Sequence, residues 1–513
     1  MLKKIRAVTA GIVFILCTLL FLDFTGLAAG WFGFLAKIQF LPAVLALNAG
    51  IVIALILLTL VFGRLYCSII CPLGIFQDVI ARSFSGWRKS HKKFYSWSSE
   101  KKWLRYSVLA VFIVLLVAGF TSVAVLVVPY SSFGRIVQNL LSPVWLWGNN
   151  LCAWIAEKVG GYAFEHKEVW LKSLPTFVIA SVTFVVIFIL AARNGRTYCN
   201  TICPVGTVLS FFSRFAIFRP VIDTGKCRNC HLCEKNCKAS CIDLDNHRID
   251  YSRCVDCFDC IGACHHGAIK YKPFWKAGKV TETETMKAGQ TVKKAEVNDK
   301  AAAGDNGRRT FISTTALTLG ALTMKAQEKK VDGGLAVVLG KKAPVRETPL
   351  VPFGALSVKE FYQHCTACQL CVSQCPNGVL RPSSSLEHLM QPEMSYERGW
   401  CRVECNRCAQ VCPSGPIRKY SIEEKTTMHI GTAKVDLDLC VVNRDGVSCG
   451  NCSRHCPAGA IIMVKKDPKD KNSLRIPTVD ESRCIGCGAC EFLCPSRPYS
   501  AIHVNGLSVH RRD

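Results

Sequence analysis

The sequence predicts a membrane α-helical domain joined to α+β modules of the bacterial ferredoxin type. Two observations carry that expectation. Four apolar stretches approach the roughly 20 residues a helix needs to cross a bilayer, and most of the 31 cysteines fall in short groups with metal-ligand spacing. The 513 residues leave room for several modules. Half of them are hydrophobic and only 19% are charged, which argues against an ordinary water-soluble globule.

The apolar stretches run from Ala7 to Leu27, Ala43 to Phe62, Tyr106 to Val128 and Leu174 to Ala192, and are read as four transmembrane helices. The first follows Lys3, Lys4 and Arg6 with no cleavage site, so it reads as an anchor with its N-terminus inside. The loop after the second carries Arg64, Arg82, Arg88, Lys89, Lys92, Lys93, Lys101, Lys102 and Arg105, whereas the next loop is balanced. Positive-inside counting puts the first of these loops in the cytoplasm and returns the chain there at Arg193 and Arg196. The excess of 63 Lys and Arg over 37 Asp and Glu, a net +26, is thereby assigned to topology, with membrane lipid and not nucleic acid as the partner.

Inside this domain, GRLYCSIICPLG (Gly63 to Gly74) recurs as GRTYCNTICPVG (Gly195 to Gly206). Both copies leave the membrane on the same side, so Cys67, Cys71, Cys199 and Cys203 can converge at one level. As small apolar residues they would pack a helix end, with Pro72 and Pro204 opening the next helix. As chemistry they would form a redox dithiol pair or a four-thiolate site for iron–sulfur, zinc or copper(I).

Next come Cys227, Cys230, Cys233 and Cys237, then Cys254, Cys257, Cys260 and Cys264, each group spaced CxxCxxCxxxC. Three cysteines of one loop hold three irons of a cubane, and the fourth ligand comes from the other motif, so Cys264 completes the first cluster and Cys237 the second. The usual proline after the fourth cysteine is replaced by Lys238 and His265. CRNCH (Cys227 to His231) also matches a haem-attachment signature, a reading set aside because Cys233 and Cys237 complete the ferredoxin spacing. Cys17, Cys152 and Cys241 are read as packing residues.

Residues 271–307 are poor in aromatics and rich in Lys, Glu, Thr, Ala and Gly, the composition of a flexible linker. Residues 308–326 place Arg308 and Arg309 before a mildly apolar run, a twin-arginine-like export signal whose bland alternative is a buried helix. That route carries folded proteins, as a cluster-bearing cargo must be.

Residues 327–513 hold four more groups: Cys365, Cys368, Cys371, Cys375; Cys401, Cys405, Cys408, Cys412; Cys440, Cys449, Cys452, Cys456; and Cys484, Cys487, Cys490, Cys494. Each ends in Cys-Pro, a bacterial ferredoxin pattern that outweighs a set of zinc ribbons. Six [4Fe-4S] clusters are therefore expected. At about −2 each with their thiolates they offset about 12 of the positive charges.

The region up to about residue 270 resembles the NapH-type quinol dehydrogenase membrane subunit, in its four helices, paired CxxxCP motifs and double-cubane ferredoxin. The remainder resembles the NapG-type periplasmic ferredoxin, in the twin-arginine stretch, VPFGALSVKEFYQHCTAC (Val351 to Cys368) and the wide gap between Cys440 and Cys449. The resemblance implies a fusion that takes electrons from the quinone pool and delivers them to a periplasmic terminal reductase, as for nitrate, or to a cytochrome. It also implies that the first of the four C-terminal motifs pairs with the fourth and the second with the third, with pairing of neighbouring motifs left open by the sequence. Domain bounds are 1–215 for the membrane domain, 216–270 for a cytoplasmic double-cluster ferredoxin and 327–513 for a periplasmic four-cluster module. No cleavage site follows the twin-arginine run, so the halves are expected to stay tethered.

No quinone-binding residue is identified, although PYSSFGR (Pro129 to Arg135) offers an aromatic and polar site. Two other functions stay open. One is an accessory protein that reductively activates a partner's metal centre through the CxxxCP cysteines, and the other is a cytoplasmic ferredoxin hub.

Overall fold

The computed structural model describes residues 1–91, 94–161, 164–276, 339–470 and 472–513. The linker from residue 277 onward and the twin-arginine segment lie outside the described residues.

Four helices organise the N-terminal part: α1 (Leu2–Leu22), α2 (Ala49–Phe62), α3 (Lys102–Val117) and α4 (Leu174–Asn194). Among the described residues, only α1 and α4, of 21 residues each, are long and apolar enough to cross a membrane. At 1.5 Å per residue they measure about 31 Å. The four-span expectation is corrected here, because α2 has 14 residues and α3 has 16. The second apolar run is split by Leu47, whose φ is 53°, and by Asn48, which caps α2 by accepting from the Ile51 amide at 3.3 Å. The third stops at Gly119, whose φ of 84° suits a helix C-terminus, and re-enters order as a short turn before Pro129.

The four helices run antiparallel between two cysteine-rich modules. The first module (216–276) meets the start of α1 through Lys3 and Asp259, 3.0 Å apart, and the end of α4, where the Arg196 amide donates to the Lys238 carbonyl at 2.9 Å. The second module (339–513) meets the opposite ends. Gln374 Nε2 donates to the Leu20 and Asp23 carbonyls at 3.0 and 2.7 Å, and Ser173 pairs with Ser384 at 3.3 Å just ahead of α4. Past α3, the Thr121 hydroxyl reaches the Tyr362 carbonyl at 2.6 Å.

The modules themselves are small antiparallel strand pairs with one-turn helices between cysteine loops. Phe218–Ile222 pairs with Ile269–Pro273 in the first. In the second, Met428–Val435 pairs with Ile502–Arg512 and Ile461–Lys465 with Arg475–Val479. The first module has its own small core around Ile222, Ile242, Leu244, Ile249 and Ile269. The second shares one continuous core with the bundle, running from Leu20 and Phe21 through Tyr130 and Phe133 to Phe361 and Leu370.

On the outside of the bundle, Val8, Ile12, Ile15 and Leu19 of α1 and Val178, Val182, Val185 and Ile189 of α4 are exposed at helical spacing. An exposed apolar helix face of this kind marks a contact with lipid or with another protein.

Candidate metal centres

Four of the six cysteine loops share a backbone conformation. In Cys227 to Cys233, Asn229 and His231 have φ of 47° and 56°, and Asp256 and Phe258, Ala367 and Gln369, and Gly486 and Gly488 repeat the pattern in three other motifs. Left-handed residues alternating with right-handed ones aim successive amides into one concavity, an anion-binding nest of the kind found at iron–sulfur sites. The Ala367 amide bonds the Cys365 sulfur and the Leu370 amide bonds the Cys368 sulfur.

Each nest opens on a cavity, and the cavities show which motifs cooperate. Cys227, Cys230, Cys233 and Cys264 line one, and Cys237, Cys254, Cys257 and Cys260 line another. This is the exchange of fourth ligands expected for the first module. In the second module Cys412 joins Cys365, Cys368 and Cys371, while Cys375 joins Cys401, Cys405 and Cys408. Cys456 joins Cys484, Cys487 and Cys490, and Cys494 lies within electrostatic reach of Cys452 beside Cys449 and Cys440. Neighbouring motifs therefore pair, first with second and third with fourth, which corrects the pairing implied by resemblance. Each pair closes as a compact local unit.

Burial pushes the Cys368, Cys401 and Cys452 thiols up to about 11. Such sulfurs become thiolates only with a positive charge between them, and the irons of a cubane supply it. Lys425, fully buried, adds another cation at the second of these centres. Its Nζ lies 3.2 Å from Cys401 Sγ and donates to the Cys405 carbonyl at 2.6 Å.

Lys238 explains one missing proline. Its ammonium, 2.8 Å from Asp259 and 3.4 Å from Asp78, ties the first module to the helix that follows the first CxxxCP motif. Asp78 also pairs with Arg196 at 2.8 Å and with Arg6. Burial opposes the charge on Asp78, but these cations outweigh it and hold the carboxyl well below the usual range. The loop arginines read as topology signals are thus in part internal pins, since Arg64, Arg105 and Arg196 are at most 1% exposed.

The CxxxCP cysteines do not sit on continuous helices. Cys67 lies in a π-helical turn (Tyr66–Ile70) and Cys199 in an α-turn (Thr197–Thr201), while Cys71 and Cys203 occupy the N-caps of Pro72–Ser83 and Pro204–Ser213. All four are buried, and the repeats cross-brace. Arg64 Nη2 donates to the Cys199 carbonyl at 3.3 Å, and Arg196 Nη1 donates to the Cys67 carbonyl at 2.7 Å. Glycine is required at 74 and 206, because a side chain there would strike the same two carbonyls. No three or more His, Cys, Asp or Glu among the described residues are gathered tightly enough for a single metal ion.

A family model described as a 4Fe-4S dicluster domain matches residues 364–442 and 447–497, and one described as a 4Fe-4S binding domain matches 45–94 and 175–222. The methylamine utilization ferredoxin-type protein MauM of Methylobacillus flagellatus is 34% identical over 31% of this chain and 70% of its own length. The ferredoxin-type protein NapG of Escherichia coli is 31% identical over 38% of this chain and 84% of its own. The chain belongs to the NapG and MauM family of ferredoxin-type proteins. Like them it is an iron–sulfur electron-transfer protein, and its cysteine nests fit 4Fe-4S clusters. An uncharacterized protein of Methanocaldococcus jannaschii is 34% identical over 20% of the chain, which spans 41% of that relative's length. The first dicluster match contains both motifs of the first NapG-like pair, in keeping with the cavities.

Several residues of this NapG-type protein escaped sequence reasoning. Cys241 lines the second cavity with its sulfur 3.5 Å from Cys237, whereas Cys17 is plainly buried and Cys152, read as packing, is exposed. Pro129 to Arg135 is no open quinone pocket. Ser131 donates to the Thr366 carbonyl at 2.6 Å, and Tyr130, Phe133 and Arg135 are sealed beneath the second module. Lys425 and Asp78 carried no motif; a lone acid within an apolar helix was the only signal at Asp78, and Lys425 sits in the charged run Glu423 to Lys425.

Proposed function

We propose that the chain is a membrane-bound electron carrier that oxidises quinol at its helical bundle and passes the electrons, through six [4Fe-4S] clusters held by the 24 motif cysteines, to a periplasmic reductase. One observation carries this reading: apolar helices with exposed apolar faces run between two cysteine-rich modules at their opposite ends. A bilayer around α1 and α4 would cover that surface and leave a module on each side. The exposed charges of the loop after α2, Arg82, Lys101 and Lys102 among them, favour a cytoplasmic first module, and the twin-arginine segment, placed between the modules in the chain, would carry the second across.

Membrane lipid and the quinone pool are then partners by position. NapG-type resemblance supplies the direction, from quinol to a terminal reductase or cytochrome. The chain's own residues would hold the clusters, keep water from them and fix their order; the clusters supply one-electron chemistry.

The test has two arms. An epitope placed after Asp513 should be cleaved by protease in intact spheroplasts, and the purified chain should be reduced by a quinol analogue. Protection of the epitope until lysis favours a cytoplasmic hub. Periplasmic exposure without quinol oxidation favours the accessory role in activating a partner's metal centre.

A further inference from the structure

We propose that Cys67, Cys71, Cys199 and Cys203 together hold one additional [4Fe-4S] cubane, shared by the two repeats and placed as the electron bridge between the two cysteine-rich modules. The inference rests on the chain being an electron carrier, and not on quinol as the donor.

Each match to the 4Fe-4S binding domain contains only one CxxxCP pair of these cysteines, Cys67 with Cys71 or Cys199 with Cys203. Two thiolates cannot close a cubane, and four can. The fold brings the four into one buried site, where Cys203 lies within electrostatic reach of the other three sulfurs.

The surroundings suit an anion. Arg64 is fully buried, and among the described residues its guanidinium bonds no carboxylate directly, the Asp256 carboxylate within its electrostatic reach being bonded to the Arg64 backbone amide. It bonds Asn200 Oδ1 at 3.0 Å and the Ser252 carbonyl at 3.1 Å, and it turns Nη2 toward Cys67 Sγ at 3.8 Å. Arg196 Nη1 stands 4.0 Å from Cys199 Sγ. A buried guanidinium with no carboxylate in direct contact is costly, and a cubane with four thiolates carries about −2. Gln77 Nε2 donates to Cys199 Sγ at 3.2 Å and the Gly206 amide to Cys203 Sγ at 3.3 Å, as amides do in ferredoxin loops. Zinc would satisfy the charge but is redox-inert.

The site sits between the modules. On one side the Arg64 amide donates at 2.9 Å to Asp256, which lies between Cys254 and Cys257, and the Arg196 amide bonds the residue after Cys237. On the other, Tyr66 adjoins Cys67 and Cys71, and Tyr130 lies within electrostatic reach of both Tyr66 and Cys368. In the relay one electron leaves a reduced cubane of the first module, reduces the shared centre by one, and then reduces a cubane of the second module; no bond or proton moves.

The full chain, purified anaerobically in detergent, should contain about 28 irons and 28 sulfides, against about 24 for six cubanes alone. Cys71→Ser/Cys203→Ser should lose four of each and keep the rest, showing that the protein still folds. In vesicles with the first module outward, external dithionite should bleach all clusters of the wild type but only those of the first module in the variant. A wild-type count of about 24 overturns the proposal and needs no variant to do so; equal bleaching in both proteins overturns the bridging role. Quinol oxidation without the extra iron would sink this inference alone, and the extra iron without quinol oxidation would sink only the quinol reading.

Discussion

The two ends of the helical bundle hold their modules by different physics. At the first module the contact is a buried ionic lattice, in which Arg6, Arg196 and Lys238 share Asp78 while Lys238 and Lys3 share Asp259. At the second, neutral donors such as Ser131, Asn139 and Gln374 bond backbone carbonyls or side-chain amides across a continuous apolar core. Buried ion pairs add little net stability compared with apolar packing but demand one geometry, whereas apolar contacts supply stability in proportion to area. The first module is therefore held in register and the second is held firmly.

The comparison breaks most readily at Asp78. Asp78→Asn leaves Arg6, Arg196 and Lys238 without their shared anion and should cost about 3–5 kcal/mol. Hydrogen exchange should then accelerate across residues 216–276 while the second module keeps its protection. Equal loosening of both modules would mean that the bundle, not the contact, had failed.

Gly134→Val attacks the other end, because a side chain there meets the Cys368 carbonyl and Phe21. Overpacking of this kind costs about 1–3 kcal/mol. Faster exchange around Thr366 to Gln374, insensitive to salt, is the expected outcome.

Lys425→Met tests charge without touching either contact. Loss of a buried cation 3.2 Å from Cys401 Sγ should lower the potential of the centre held by Cys375, Cys401, Cys405 and Cys408. About 60 mV corresponds to about 1.4 kcal/mol for one electron, and redox titration followed by electron paramagnetic resonance would read it. An unchanged potential would leave Lys425 a purely structural donor.

The smallest effect belongs to Lys3→Ala. Lys3 is half exposed, so its pair with Asp259 should contribute only about 0.2–1 kcal/mol and fade in high salt. A loss as large as that of Asp78→Asn would move the weight of the first contact to its rim.

The cysteine groups were legible because CxxCxxCxxxC, in four of the six motifs, is a local code: three sulfurs that reach one cluster from one loop need that spacing whatever the rest of the chain does. The helix breaks at Asn48 and Gly119 carried ordinary cap signals, yet hydropathy averaged over them and joined what the chain divides. Arg64 and Arg196 were misread in kind. As charges near apolar runs they resemble topology signals, and nothing local tells a loop arginine in water from one reaching into a sequence-distant repeat.

By itself the sequence determined which cysteines group at ferredoxin spacing, that apolar helices are present, and that Gly63 to Gly74 is repeated, since each depends on neighbours within a dozen residues. Only the tertiary structure decided how the four C-terminal cysteine motifs pair, that the modules cap opposite ends of the bundle, and that four repeat cysteines share one buried site beside Arg64. Those are contacts between segments a hundred or more residues apart for the repeat, and for the modules they depend on which core is shared; burial and charge compensation select them only once the chain has closed.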